Sequence, residues 1–99
     1  DVVEYNLFIA INMMIDIATH IVVDNDIGNP ETFGEAFELL YKHKYFSADE
    51  VKNYKKMVSL RNILSHEYLK IDKKIIYSIL QNNIIDIKKF IILVNDNFI

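Results

Sequence analysis

The chain has 99 residues, 52% of them hydrophobic and 25% charged, with a net charge of −3 and no cysteine. This composition gives one small globular domain and excludes disulfides, thiolate chemistry and zinc–thiolate sites. The acidic balance also excludes a generic basic coat for nucleic acid, so any RNA contact must be local.

The hydrophobic share is high for a lone small domain, which points to apolar surface covered by a partner. The start carries neither a basic n-region nor a small-residue cleavage site. The longest apolar stretches are interrupted by Asn, Asp and Lys. The expectation is therefore a cytoplasmic protein with no membrane span.

Residues 2–23 are apolar nearly all the way round, and their length favours a helix over a strand. Asn12, Asp16 and His20 recur every fourth residue and form one narrow polar stripe. A solvated seam is the simpler reading of that stripe. The sharper one puts Asp16 and His20 near a catalytic cleft.

Residues 24–32 hold the only Pro and one of the two Gly, and read as a loop. Thr32 and Glu35 have the spacing of a capping box, which predicts a helix from about Thr32 to Tyr41 or Lys42. Phe33, Ala36, Phe37 and Leu40 would make its apolar face. A second box, Ser47 and Glu50, predicts a helix from about Ala48 to Leu64. Val51, Tyr54, Met57, Val58 and Leu64 should be buried there, with Lys52, Lys55 and Lys56 in solvent. Asp72 is a good N-cap for a last helix, with Ile71 and Ile76 placed as a hydrophobic staple. Leu80, Ile84, Ile87, Ile91, Val94 and Phe98 then make a heptad stripe, as an antiparallel bundle or a helix-paired dimer needs.

Chemistry concentrates in Arg61-Asn62-Ile63-Leu64-Ser65-His66-Glu67-Tyr68, which reads R-x4-H-x-Y. Ten of the eleven basic residues are Lys, so the single Arg marks a role that Lys cannot fill. A guanidinium is a planar fork that can hold a phosphate bidentately. His66 has the side chain best suited to proton transfer near neutrality. Asn62, Ser65 and Glu67 are supporting candidates, as are Asp16 and His20. On one continuous helix Arg61 and His66 would lie about 140° apart and could not converge on one phosphate. Either the helix ends near Ser65, or the two residues act across a subunit interface, or both hold. Taken singly, His66 reads as a hydrogen-bonded residue at a helix end, and Arg61 as a surface ion pair with Glu67 or Asp72. A metal site from Asp16, His20, His43 and His66 has little support, because no third ligand has convincing spacing. Lys70, Lys73 and Lys74 flank the motif and could assist RNA docking.

R-x4-H-x-Y after such a helix resembles the HEPN superfamily, and within it the HepT-like (DUF86) toxins paired with MNT-type minimal nucleotidyltransferases. Four stretches follow that family's run in order: Ile15 to Ile21, Pro30 to Leu40, Met57 to Tyr68, and Ile71-Asp72. The resemblance implies an all-α, HEPN-like antiparallel bundle, of about four helices here, that forms a homodimer with both motifs facing one cleft. It implies metal-independent endoribonuclease activity without a cofactor, with His66 as acid/base and Arg61 as phosphate clamp. It implies an MNT-type nucleotidyltransferase antitoxin as partner, which silences the toxin by attaching AMP to Tyr68. Relatives usually carry a further N-terminal helix before the segment equivalent to 2–23, so residues 1–99 are expected to be the HepT-like domain without that helix. The rival class is a non-catalytic helical subunit that binds substrate or nucleotide for a nucleotidyltransferase, through Arg61 and Tyr68.

Overall fold

The computed structural model of the chain describes residues 2–67 and 72–99, which fold into four helices. These are α1 (Val2–Asp24), α2 (Glu35–Lys42), α3 (Ala48–Glu67) and α4 (Lys73–Phe98). The expected all-α bundle of about four helices is the observed one.

α1 and α3 each touch all three other helices. Leu7, Ile11, Met14, Ala18, Ile21 and Val22 repeat at steps of mostly three and four and are buried. That spacing makes one continuous apolar face, which burial in the core stabilises. By length and composition alone α1 could cross a membrane. In the bundle, that same buried row packs into the common core.

α1 and α2 both end in Schellman turns built on non-glycine residues. Asp26 and Lys44 adopt positive φ, 55° and 66°. Ile27 N–H donates to the Val22 carbonyl and Asp26 N–H to that of Val23. Tyr45 N–H donates to the Leu40 carbonyl and Lys44 N–H to that of Tyr41. Each turn satisfies carbonyls that a helix end would otherwise leave unpaired.

α2 starts later than the Thr32–Glu35 spacing predicts. Residues 31–34 are turns, and Gly34 is the N-cap, with no side-chain capping bond. The Glu35 carboxylate reaches back to the backbone N–H of Glu31, one residue beyond the expected partner. Phe33 therefore lies outside the helix and is 48% exposed, not on a buried face. The box at the start of α3 does form. Ser47 N–H donates to Glu50 Oε1 and Glu50 N–H to Ser47 Oγ, both at 3.2 Å. At α4, Asp72 accepts from Lys74 N–H at 2.9 Å, as its capping role requires. Ile76 is buried as the staple expects, while Ile71 lies outside the described residues.

An aromatic cluster joins three helices and the α2–α3 loop. Tyr54 packs on Phe37, Phe46 and Phe90, with ring centroids 5.0–5.6 Å apart. Phe90 sets the rotation of α4. The face turned to the core runs through Ile76, Asn83, Phe90 and Val94, with Leu80, Ile87 and Phe98 packed beside it. Ile84 and Ile91 belong to the next row and are 43% and 55% exposed, contrary to the single stripe expected. In so Ile-rich a helix two adjacent rows are apolar, and the fit of Phe90 against Phe37 and Tyr54 selects between them.

Candidate active site

The helix that carries the motif runs through His66, and its last described residue is Glu67. Arg61 and His66 therefore sit on one helix, about 140° apart around its axis. A helix break between Arg61 and His66 is thereby removed, and the arrangement across a subunit interface stays open.

Arg61 is half-buried and held from four directions. Its Nε donates to Asn12 Oδ1 on α1 at 2.7 Å, and its Nη1 to Asn62 Oδ1 at 3.2 Å. The guanidinium carbon lies 5.3 Å from the Phe8 ring centroid and 4.7 Å from that of Phe33. An aromatic ring presents a negative face to a cation, so both contacts are attractive. Two of the five N–H groups are used, and enough donors remain for an incoming anion. The ion pair with Asp72, the simpler reading of Arg61 taken singly, is not formed among the described residues.

His66 lies in the last turn of α3 and is exposed. It shares a stripe of that helix with Ser59 and Asn62, at steps of three and four. Ser65 is exposed on the Arg61 side. Tyr68, Lys70 and the Glu67 side chain lie outside the described residues.

The polar stripe of α1 divides. Asn12 is part of the site through its bond to Arg61. Asp16 and His20 are exposed one and two turns further on, and no hydrogen bond or ion pair among the described residues joins them to Arg61 or His66. Likewise, no group of three or more His, Asp or Glu among the described residues could hold a metal ion. Three residues that hold Arg61 were not assigned to the site from the sequence: Phe8, Asn12, read only as part of a polar stripe, and Phe33, read as part of an apolar helix face. The stripe containing Asn12 was the available signal for one of them. Nothing local distinguishes Phe8 or Phe33 from core residues.

Beside Arg61 is an open cavity of about 440 Å³, lined by Glu31, Thr32, Phe33, Gly34, Lys55, Val58, Ser59 and Asn62. Lys55 at its edge pairs with Glu38 at 3.0 Å.

An all-α bundle with a caged arginine and an exposed histidine about 140° apart on the same helix defines a class of protein: helical domains with an Arg–His motif on a single helix. Within that class the chain belongs to the HepT-like ribonuclease family, whose sequence model matches residues 1–94. It is 34% identical over 91 residues to the mRNA nuclease HepT of Shewanella oneidensis, covering 92% of this chain and 68% of that protein. Among solved structures, it is similar to a tri-AMPylated Shewanella oneidensis HEPN toxin in complex with MNT antitoxin. The TM-score is 0.87 at 31% identity, over 95% of this chain and 71% of that one. A toxin–antitoxin complex with AMP-PNP gives 0.85 at 32% identity, over 93% and 70%.

Proposed function

We propose that this chain is the ribonuclease toxin of a HEPN/MNT toxin–antitoxin pair, acting on RNA in the cytoplasm. The observation that carries the reading is the caged Arg61. Its guanidinium is fixed before any substrate arrives, by Asn12, Asn62 and two rings, in a chain of the HepT-like family. Preorganised charge of this kind costs no reorganisation when negative charge builds on a phosphate.

The reaction needs no metal. The ribose 2′-oxygen attacks phosphorus and the 5′-oxygen of the next nucleotide leaves, giving a 2′,3′-cyclic phosphate. His66 takes or delivers the proton, and Arg61 binds the non-bridging oxygens. Because the two residues diverge on one continuous helix, the chain works as a homodimer, with Arg61 of one copy meeting His66 of the other across a cleft. The exposed apolar residues of α1 and α4, such as Met13, Ile85 and Ile92, are surface that such pairing can cover. Tyr68, two residues beyond His66, is the acceptor for AMP transferred by the MNT partner. The added bulk and negative charge would compete with RNA for Arg61.

The test is RNA cleavage in EDTA by wild type and His66→Ala, each free of the transferase. The expected result is cleavage with 2′,3′-cyclic ends by wild type alone. A folded, unmodified wild-type dimer that leaves RNA intact would instead mark a binding subunit.

A further inference from the structure

The cavity beside Arg61 has a composition that phosphate binding does not explain. Its one lysine, Lys55, is already paired with Glu38, and Glu31 adds a carboxylate to the lining. An anion gains little there. Its other features suit a flat, uncharged, hydrogen-bonding group. Phe33 is stacked on Arg61 and yet half exposed, so it can also take a second flat group. Val58 gives an apolar floor and is buried. Asn62 spends its carbonyl oxygen on Arg61, which leaves its amide N–H groups to donate. Ser59 adds a hydroxyl on the same wall; its donor is turned to the Lys55 carbonyl, and its oxygen can still accept. A volume of about 440 Å³ is within the usual span of small-molecule sites.

The cavity is also aligned with the motif. Lys52, Lys55, Ser59, Asn62 and His66 recur at steps of three, four, three and four, and all are exposed. They form one stripe along α3. Ser59 and His66 are seven residues apart, which is about 10 Å along a helix. Lys52 and Lys56 stand at the far end of this track as cations for a sugar–phosphate backbone.

We infer that this cavity is a nucleobase subsite: an unstacked base of single-stranded RNA lies on Phe33, against Glu31, Ser59 and Asn62, and belongs to a nucleotide flanking the phosphate held by Arg61. The inference rests on the ribonuclease reading for the RNA and for its phosphate at Arg61, but not for the existence of the pocket. Aromatic rings are the usual platforms for unstacked RNA bases, whose edges are then read by hydrogen bonds. Glu31, an acceptor only, favours a base whose exposed edge carries donors.

The experiment measures binding of short single-stranded RNAs to the full chain carrying His66→Ala, so that bound RNA stays uncleaved. Each RNA lacks the base at one position, and affinity is read by fluorescence anisotropy at fixed salt. One position should cost about 5- to 150-fold, the range expected for loss of one stacked base. Adding Phe33→Leu should erase the cost at that position, and Phe33→Trp should keep it. If Phe33→Leu instead weakens all RNAs equally, Phe33 only holds Arg61 and the subsite is refuted. Absence of any position-specific cost, or of any binding at low salt, refutes it as well. Cleavage of the intact RNAs by wild type separates the two readings. Cleavage without a position-specific cost removes the subsite alone; a position-specific cost without cleavage removes the nuclease and keeps the subsite.

Discussion

Replacing Arg61 by Lys keeps the charge and removes the geometry, so it tests whether the cage does what the site needs. The bond from Nε to Asn12 is short, 2.7 Å, and charged on the donor side. Bonds of that type contribute about 1.5–3 kcal/mol. The bond to Asn62 is longer and exposed, and adds little. Each ring contact is worth about 0.5–1 kcal/mol at a partly exposed position, and a lysine ammonium keeps at most one of the two. The net loss is about 2 kcal/mol, which lowers Tm by roughly 10 °C in a domain of this size. Cleavage should fall by about 100-fold or more, the usual effect of losing one preorganised donor. Thermal unfolding followed by circular dichroism gives the first quantity and initial rates of cleavage the second. Asn12→Ala supplies the control: its cost and that of Arg61→Lys should overlap rather than add, because both remove the same bond. A Tm for Arg61→Lys within a couple of degrees of wild type would show that the cage holds nothing in place.

The Tyr54 hydroxyl is buried with no hydrogen-bond partner among the described residues, so Tyr54→Phe should stabilise the fold by about 1 kcal/mol, read from urea unfolding. Burial first, then the Glu50 and Asp86 carboxylates, raise the Tyr54 pKa. The unfolded chain therefore loses this proton near pH ~10 while the folded one keeps it, and stability falls as pH rises beyond that point. That alkaline loss should be shallower in Tyr54→Phe. Lys44→Gly relieves a left-handed residue far from the motif, and should raise stability by about 1 kcal/mol with cleavage unchanged. Mixing Arg61→Ala with His66→Ala chains should restore about a quarter of wild-type activity, since half the dimers are mixed and each has one intact composite site. No restoration after confirmed subunit exchange would place both residues of a working site in one chain.

The parts of the fold that were legible in the sequence are those set by short-range chemistry. Ser47 with Glu50, and Asp72 with Lys74, make capping bonds within three residues, so spacing alone predicts them. The ends of α1 and α2 were placed to within a residue, but the left-handed turns that follow them gave no signal, because Asp26 and Lys44 fill the position where glycine is expected. Phe33 was misread for a related reason. Its spacing to Phe37 fits a helical face, but residues 31–34 turn before the helix begins, and the ring is left beside Arg61. The face of α4 was ambiguous because burial there is decided by long-range contacts of Phe90, which periodicity cannot see.

Arg61 is the case where sequence and structure meet. Composition singled it out as the one arginine among eleven basic residues, without giving the reason. The reason is that its side chain joins α1, α3 and the loop before α2 at one point, through Asn12, Asn62, Phe8 and Phe33. A lysine has one ammonium, which cannot stack as a plane and donate in two fixed directions at once. The residue that would meet the phosphate is thus also a structural tie between helices. It follows that loss of activity at position 61 cannot by itself identify a phosphate clamp. Stability and rate must be measured on the same variants, and only a fall in rate larger than the unfolded fraction accounts for assigns Arg61 to the chemistry.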